Sequence, residues 1–134
     1  LDPRLELFDT ANLTYLSTVM PDGSPQVTPL WVEVGDDGLI RLNTAEGRVK
    51  TENMRRDARV ALAVHDAVDP YHYVTVRGRV VGITTDGAAE LNDRLAKKYM
   101  GLERFPFDHA GQVRVVVTIE PARFHVYSGP NRHR

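Results

Sequence analysis

The stretch Arg48-Val49-Lys50-Thr51-Glu52-Asn53-Met54-Arg55-Arg56-Asp57-Ala58-Arg59 lies between two apolar runs, Leu39-Ile40-Arg41-Leu42-Asn43-Thr44 before it and Val60-Ala61-Leu62-Ala63-Val64 after it. It holds five cations against two anions, in a chain whose formal net charge is only −1. The flanking runs have the composition of strands, and the stretch between them predicts a short helix over about residues 48–56. A cationic cluster at a strand-to-helix junction, with Thr44, Thr51 and Asn53 as neutral hydrogen-bonding neighbours, suits a phosphate group. Lysine offers it a point charge and arginine a planar fork. Arg48 and Lys50 are two apart and would not share a face of a regular helix. At the junction they can still converge on one anion, joined by the N–H groups of the first helical turn. The same run also reads as a solvated helix whose charges serve solubility. The order of elements around it favours the phosphate.

Before the stretch, Asp2-Pro3 caps a short helix through Leu5, Leu7, Phe8 and Ala11. Residues 13–20 are β-branched and aromatic enough for a strand, and Pro21-Asp22-Gly23-Ser24-Pro25 is a turn. Residues 26–34 alternate as one strand, in which Pro29 marks an edge or a bulge because it cannot donate to a ladder. Gly35-Asp36-Asp37-Gly38 turns a hairpin into residues 39–44. After the stretch come a strand at 59–65, a loop at 66–71 and a long strand at 73–84, which Gly78 and Gly82 allow to bend. Thr85-Asp86 caps a helix through Leu91, Leu95 and Tyr99 that ends at Gly101. Residues 102–111 form a loop containing Phe105-Pro106-Phe107. Residues 113–119 form an apolar strand that Pro121 breaks, and residues 122–127 form a last one. Six or seven closely spaced strands with hairpin turns and three helices predict a mainly β fold, a small closed or split antiparallel barrel.

The length of 134 residues suits one domain over 1–134. Near-neutral net charge argues against non-specific nucleic-acid binding, which needs a basic excess. The chain has no cysteine, which excludes disulfides, thiolate nucleophiles and cysteine-based metal sites, and fits a reducing cytoplasm. No apolar run approaches the ~20 residues of a membrane span, and no signal-peptide pattern opens the chain. His65, His72, His109, His125 and His133 show no metal-ligand spacing. Ser17, Thr18 and Ser24 have no recognisable base or acid partner, so no catalytic residue is assigned.

The whole chain resembles the pyridoxamine 5′-phosphate oxidase-like superfamily of flavin-binding split barrels. The resemblance rests on the Arg48-x-Lys50-x-x-Asn53-x-x-Arg56-Asp57 run after an apolar strand, the Gly78-containing strand, and the closing Arg123-Phe124-His125-Val126-Tyr127. Within the superfamily it looks most like the actinobacterial branch that uses the deazaflavin coenzyme F420. The resemblance implies a six-stranded antiparallel split β-barrel of FMN-binding type. It also implies a homodimer with the cofactor, F420 or alternatively FMN, in clefts at the subunit interface. Arg48 and Lys50 would then hold the cofactor phosphate, assisted by Thr51 and Asn53. Thr28, Pro29, Leu30 and Trp31 would run beside the ring, and Asn43 and Thr44 would meet its edge or the polyol. Arg55 or Arg56 would meet the acidic tail of F420, and residues 71–73, Tyr73 among them, would reach in from the other subunit. The implied activity is hydride transfer from reduced deazaflavin to a conjugated acceptor such as a quinone, a tetrapyrrole or an enone. An FMN enzyme or a non-catalytic carrier of the same fold is the alternative. The arginine-bearing C-terminal signature of true pyridoxamine phosphate oxidases has no equivalent in Ser128-Gly129-Pro130-Asn131-Arg132-His133-Arg134. Vitamin B6 oxidation is therefore not part of the expectation.

Overall fold

The computed structural model describes residues 1–107 and 110–129. His109, His133 and the tail from Pro130 onward, on which part of the sequence reading falls, lie outside the described residues. Seven strands form one antiparallel sheet: β1 (Thr14–Val19), β2 (Pro25–Leu30), β3 (Glu33–Val34), β4 (Ile40–Ala45), β5 (Arg59–His65), β6 (Tyr73–Thr84) and β7 (Arg114–Tyr127). Their order is β2-β1-β5-β6-β7-β4-β3, so the ends of the sheet are β2 and β3, which are consecutive in sequence. The helices are α1 (Glu6–Asp9), which follows a 3-10 turn at Pro3–Leu5, α2 (Val49–Arg56) and α3 (Ala88–Met100). This is the split barrel that the strand spacing implies.

Side chains alternate along β1 and β5, sending Leu16, Val60, Leu62 and Val64 inward. Ile40 and Leu42 of β4 and Val115, Val117 and Ile119 of β7 meet them in one core. Leu5, Leu7 and Phe8, from the N-terminal turn and α1, also join that core, with Phe8 fully buried. A Phe8→Ala change removes a large side chain from a dry site and costs about 3–5 kcal/mol.

Three local expectations are corrected. The strand expected over 26–34 is two strands, because the chain leaves the ladder at Trp31 and Val32. The backbone of Val32 bonds to α3 instead: its N–H donates to the Tyr99 hydroxyl at 3.2 Å, and its carbonyl accepts from Lys98 Nζ at 2.6 Å. This split raises the strand count from the implied six to seven. Pro121 does not end a strand. β7 runs through it with a bulge against β6, where Gly78 pairs with Pro121. A Cβ at Gly78 would run into the Glu120 carbonyl, so glycine is what lets the two strands stay paired there. The N-cap of α3 is Gly87, in the left-handed region, rather than Thr85 or Asp86. Pro29, as expected, lies on an edge strand.

Candidate functional site

A cleft of about 430 Å³ is lined by β2, one end of the sheet, and by β4, the strand next to the other end. β2 contributes Thr28, Pro29 and Leu30 to one wall, continued by Trp31. β4 contributes Asn43 and Thr44 to the other. Arg48 and Lys50, at the head of α2, and Arg114, at the start of β7, close one side. Phe105 and Phe107 cover another, with Asn92 and Leu95 of α3 beneath.

Arg48 is the extended residue that caps α2, and Lys50 lies in the first helical turn. Arg114 pairs with Ala45 in the ladder, so it sits beside the same strand end. Among the described residues none of these three cations has an acidic partner. Burial, and then the charges of Arg48 and Arg114, hold the Lys50 ammonium below its ordinary pKa. Burial and then Arg48 lower the Arg114 guanidinium as well. Among the described residues, the buried Arg114 Nε has no hydrogen-bond partner. Three cations that repel one another, with an orphaned donor among them, form a site that an anion would stabilise.

A second orphan opens on the same cleft. Asn43 donates through Nδ2 to the Ala88 carbonyl at 2.7 Å, while its buried Oδ1 has no partner among the described residues. Asn43 pairs with Val116, so Asn43 and Arg114 are diagonal neighbours on one face of the β4–β7 ladder. Cα atoms in that relation are ~7–8 Å apart. Trp31 stacks on Tyr99 with ring centroids 5.2 Å apart and takes the edge of Phe105 at 6.3 Å. The cleft thus combines an aromatic wall, a cationic end and a buried acceptor.

Eight of the residues named from the sequence line this cleft, namely Thr28, Pro29, Leu30, Trp31, Asn43, Thr44, Arg48 and Lys50. The other four are placed elsewhere. The Thr51 hydroxyl is fully buried and donates to the Ala45 carbonyl at 2.7 Å, so at 3.1 Å it accepts from Thr44. It ties the head of α2 to the end of β4. Asn53 is buried and donates to Thr18 Oγ1 at 3.0 Å, which fastens α2 to β1. Arg55 pairs with Glu46 at 2.7 Å. Tyr73 lies on the outer face of the sheet, its ring against those of His125 and Tyr127. Sequence reading missed Leu13, Arg114, Asn92, Leu95, Phe105 and Phe107 as lining residues. Arg114 left one signal, a cation near the head of the nearly apolar run 113–119.

The family model described as pyridoxamine 5′-phosphate oxidase matches residues 2–128. A solved structure described as an F420 reductase is 32% identical, covers 93% of this chain and 98% of its own, and superposes with a TM-score of 0.80. A conserved hypothetical protein of Mycobacterium tuberculosis is 25% identical over 92% of this chain and 81% of its own, with a TM-score of 0.70. General Stress Protein 26 of Bacillus anthracis shares the fold at 17% identity, a TM-score of 0.64 and coverage of 91% and 88%.

Proposed function

This chain belongs to the pyridoxamine 5′-phosphate oxidase family, and from that premise we propose that it is an F420-dependent oxidoreductase acting on a conjugated small molecule in the cytoplasm. The observation that carries the reading is the trio Arg48, Lys50 and Arg114, half-buried or exposed in the cleft and without an acidic partner among the described residues. The likeness to an F420 reductase at 32% identity supports the choice of cofactor.

The residues present fit a flavin-type cofactor. Lys50, Arg48 and Arg114 would hold its phosphate, and the orphaned Arg114 Nε would gain an acceptor. Asn43 Oδ1 would accept from an N–H on the ring edge or from the polyol. Trp31, Leu30 and Pro29 would flank the ring and exclude water from it. When bound, such a cofactor supplies the hydride. The chain's own task is to hold ring and acceptor in register, and a proton would come from solvent or from a side chain such as Tyr73.

Tyr73 does not line this cleft within its own protomer. Its role requires a second copy, as the implied homodimer provides. The outer sheet face supports that arrangement: Tyr15, His65 and Tyr73 line a hollow of about 210 Å³ there. Exposed aromatic surface of this kind is stabilised by being covered.

FMN remains the second reading for one reason. The cleft presents a single cationic cluster, enough for one phosphate. The cations that the acidic tail of F420 would meet are engaged, Arg55 with Glu46 and Arg56 with the Val19 carbonyl and Asn53. Fluorescence titration of the protein with F420 and, in parallel, with FMN tests the proposal. Low-micromolar F420 binding with much weaker FMN binding is expected. Preference for FMN would move the chain to the FMN branch, and binding of neither would remove the functional reading. Turnover of a quinone and enone panel with reduced F420 then separates an enzyme from a carrier.

A further inference from the structure

The outer face of the sheet carries a second cationic arrangement, away from the cleft of its own protomer. Arg59 of β5 stands directly opposite Arg79 of β6, and Arg77 of β6 stands directly opposite Arg123 of β7. All four are exposed and line one concavity of about 460 Å³. Val19 and Ala61, on the outer face, give it apolar lining. Directly opposed side chains in an antiparallel pair are close neighbours, and like charges there are unfavourable. Two such pairs side by side, in a chain of net charge −1, are a local excess without an internal cause.

The chain does little to neutralise it. Asp57 pairs with Arg59 at 2.7 Å. Among the described residues Arg77, Arg79 and Arg123 have no ion pair. Glu120 is in register with Arg79 but forms none with it. The backbone also brings the charges together. The β6–β7 bulge at Arg77 and Gly78 is where a Cβ would strike the Glu120 carbonyl, so glycine permits the close approach that keeps Arg77 beside Arg123. Guanidinium forks converging beside an apolar lining suit phosphate or carboxylate groups, which they bind in pairs of hydrogen bonds.

We propose that this concavity is a second anion site, separate from the cleft, which takes a small polyanion bearing two or more phosphate or carboxylate groups. Arg77 and Arg123 hold one charged group, and Arg79, with Arg59, holds the next. None of its residues lines the cleft of the same protomer.

The test is calorimetric titration of the full chain at low salt with tripolyphosphate and, separately, with citrate, which distinguishes phosphate from carboxylate as the preferred group. Saturable binding of at least one is expected, with a component that the double variant Arg77→Ser, Arg123→Ser weakens at least tenfold and that persists in Lys50→Ala, where any loss is confined to the cleft. The double variant, free of ligand, should melt at or above the temperature of the parent protein, because an unfavourable pair has been removed. The proposal is overturned if neither polyanion binds, or if Lys50→Ala abolishes binding while the arginine variant keeps it. It is equally overturned if the parent binds no polyanion and the arginine variant melts lower and loses self-association in sedimentation. The arginines would then serve a contact between copies.

Discussion

The cationic run that joins β4 to β5 divides into two halves of similar charge and opposite use. In the first half Arg48 and Lys50 face the cleft, with Arg114 beside them and no acid among the described residues paired with them. In the second half every cation has a partner. Arg55 meets Glu46 at 2.7 Å, Arg56 meets the Val19 carbonyl at 2.6 Å and Asn53 at 2.8 Å, and Arg59 meets Asp57 at 2.7 Å. The second half fastens α2 to its surroundings. The first is left with charge to spare for a ligand. Charge density in a sequence therefore does not identify a binding site. Unmatched charge does, and matching is settled by the fold.

The comparison breaks if the halves exchange roles under mutation. The largest expected effect is on binding. Lys50→Ala and Arg114→Ala should each weaken FMN or F420 affinity by about 1–3 kcal/mol, the scale of a lost charge-assisted hydrogen bond. Fluorescence titration reads it, and affinity unchanged in both variants would refute the phosphate assignment. Thr51→Val should act on the other observable. It strands the Ala45 carbonyl and the Thr44 hydroxyl in a buried place, so unfolding free energy should fall by about 1–3 kcal/mol in urea melts. Any loss of ligand affinity there should track the loss of fold.

Smaller effects sharpen the contrast. Arg55→Ala removes an ion pair whose side chains are 43% and 38% exposed, so the cost should stay below about 1 kcal/mol. Its ligand affinity should match that of the parent protein, and a tenfold loss would return Arg55 to the site. A pH-dependent effect concerns Lys98, which donates to the carbonyls of Phe8 and Val32 at 2.6 Å each. Burial pushes this ammonium down to about 8, against the opposing pull of Asp9 and Glu33. The folded pKa lies below the unfolded one, so between about pH 8 and 10.5 the unfolded chain holds more protons. The contribution of Lys98 to stability therefore rises with pH through that window. Urea midpoints of the parent should fall less steeply, or rise more, than those of Lys98→Met between pH 8 and 10. Parallel curves would show that Lys98 does not titrate there.

Much of this architecture was legible in the chain. Alternation and turn chemistry placed most strands within a residue or two, because burial on one face of a sheet leaves a period of two in the sequence. The boundary at Trp31 was not legible, since the groups that draw Val32 out of the ladder are Lys98 and Tyr99, more than sixty residues away. Pro121 misled for a related reason. The rule that proline ends a central strand assumes a regular ladder, and Gly78 across the strand supplies the irregularity. For the site, eight of the residues read from the cationic run and the strands before it come together in one cleft. The run gave no hint that Thr51 and Asn53 spend their hydrogen bonds inside the protein, or that Arg114 would complete the cluster from the far end of the chain.

The seam between β2 and β3 has a kinetic consequence. A sheet whose terminal strands do not pair with each other has two rows of backbone amides open to solvent, so local opening should begin there. A ligand seated in the cleft touches β2 on one side and β4, the neighbour of β3, on the other, and would act as a clasp across the gap. Amide hydrogens of β2 and β3 should then exchange quickly in the ligand-free protein and slow markedly on ligand binding, while those of β5 at the centre of the sheet hardly change.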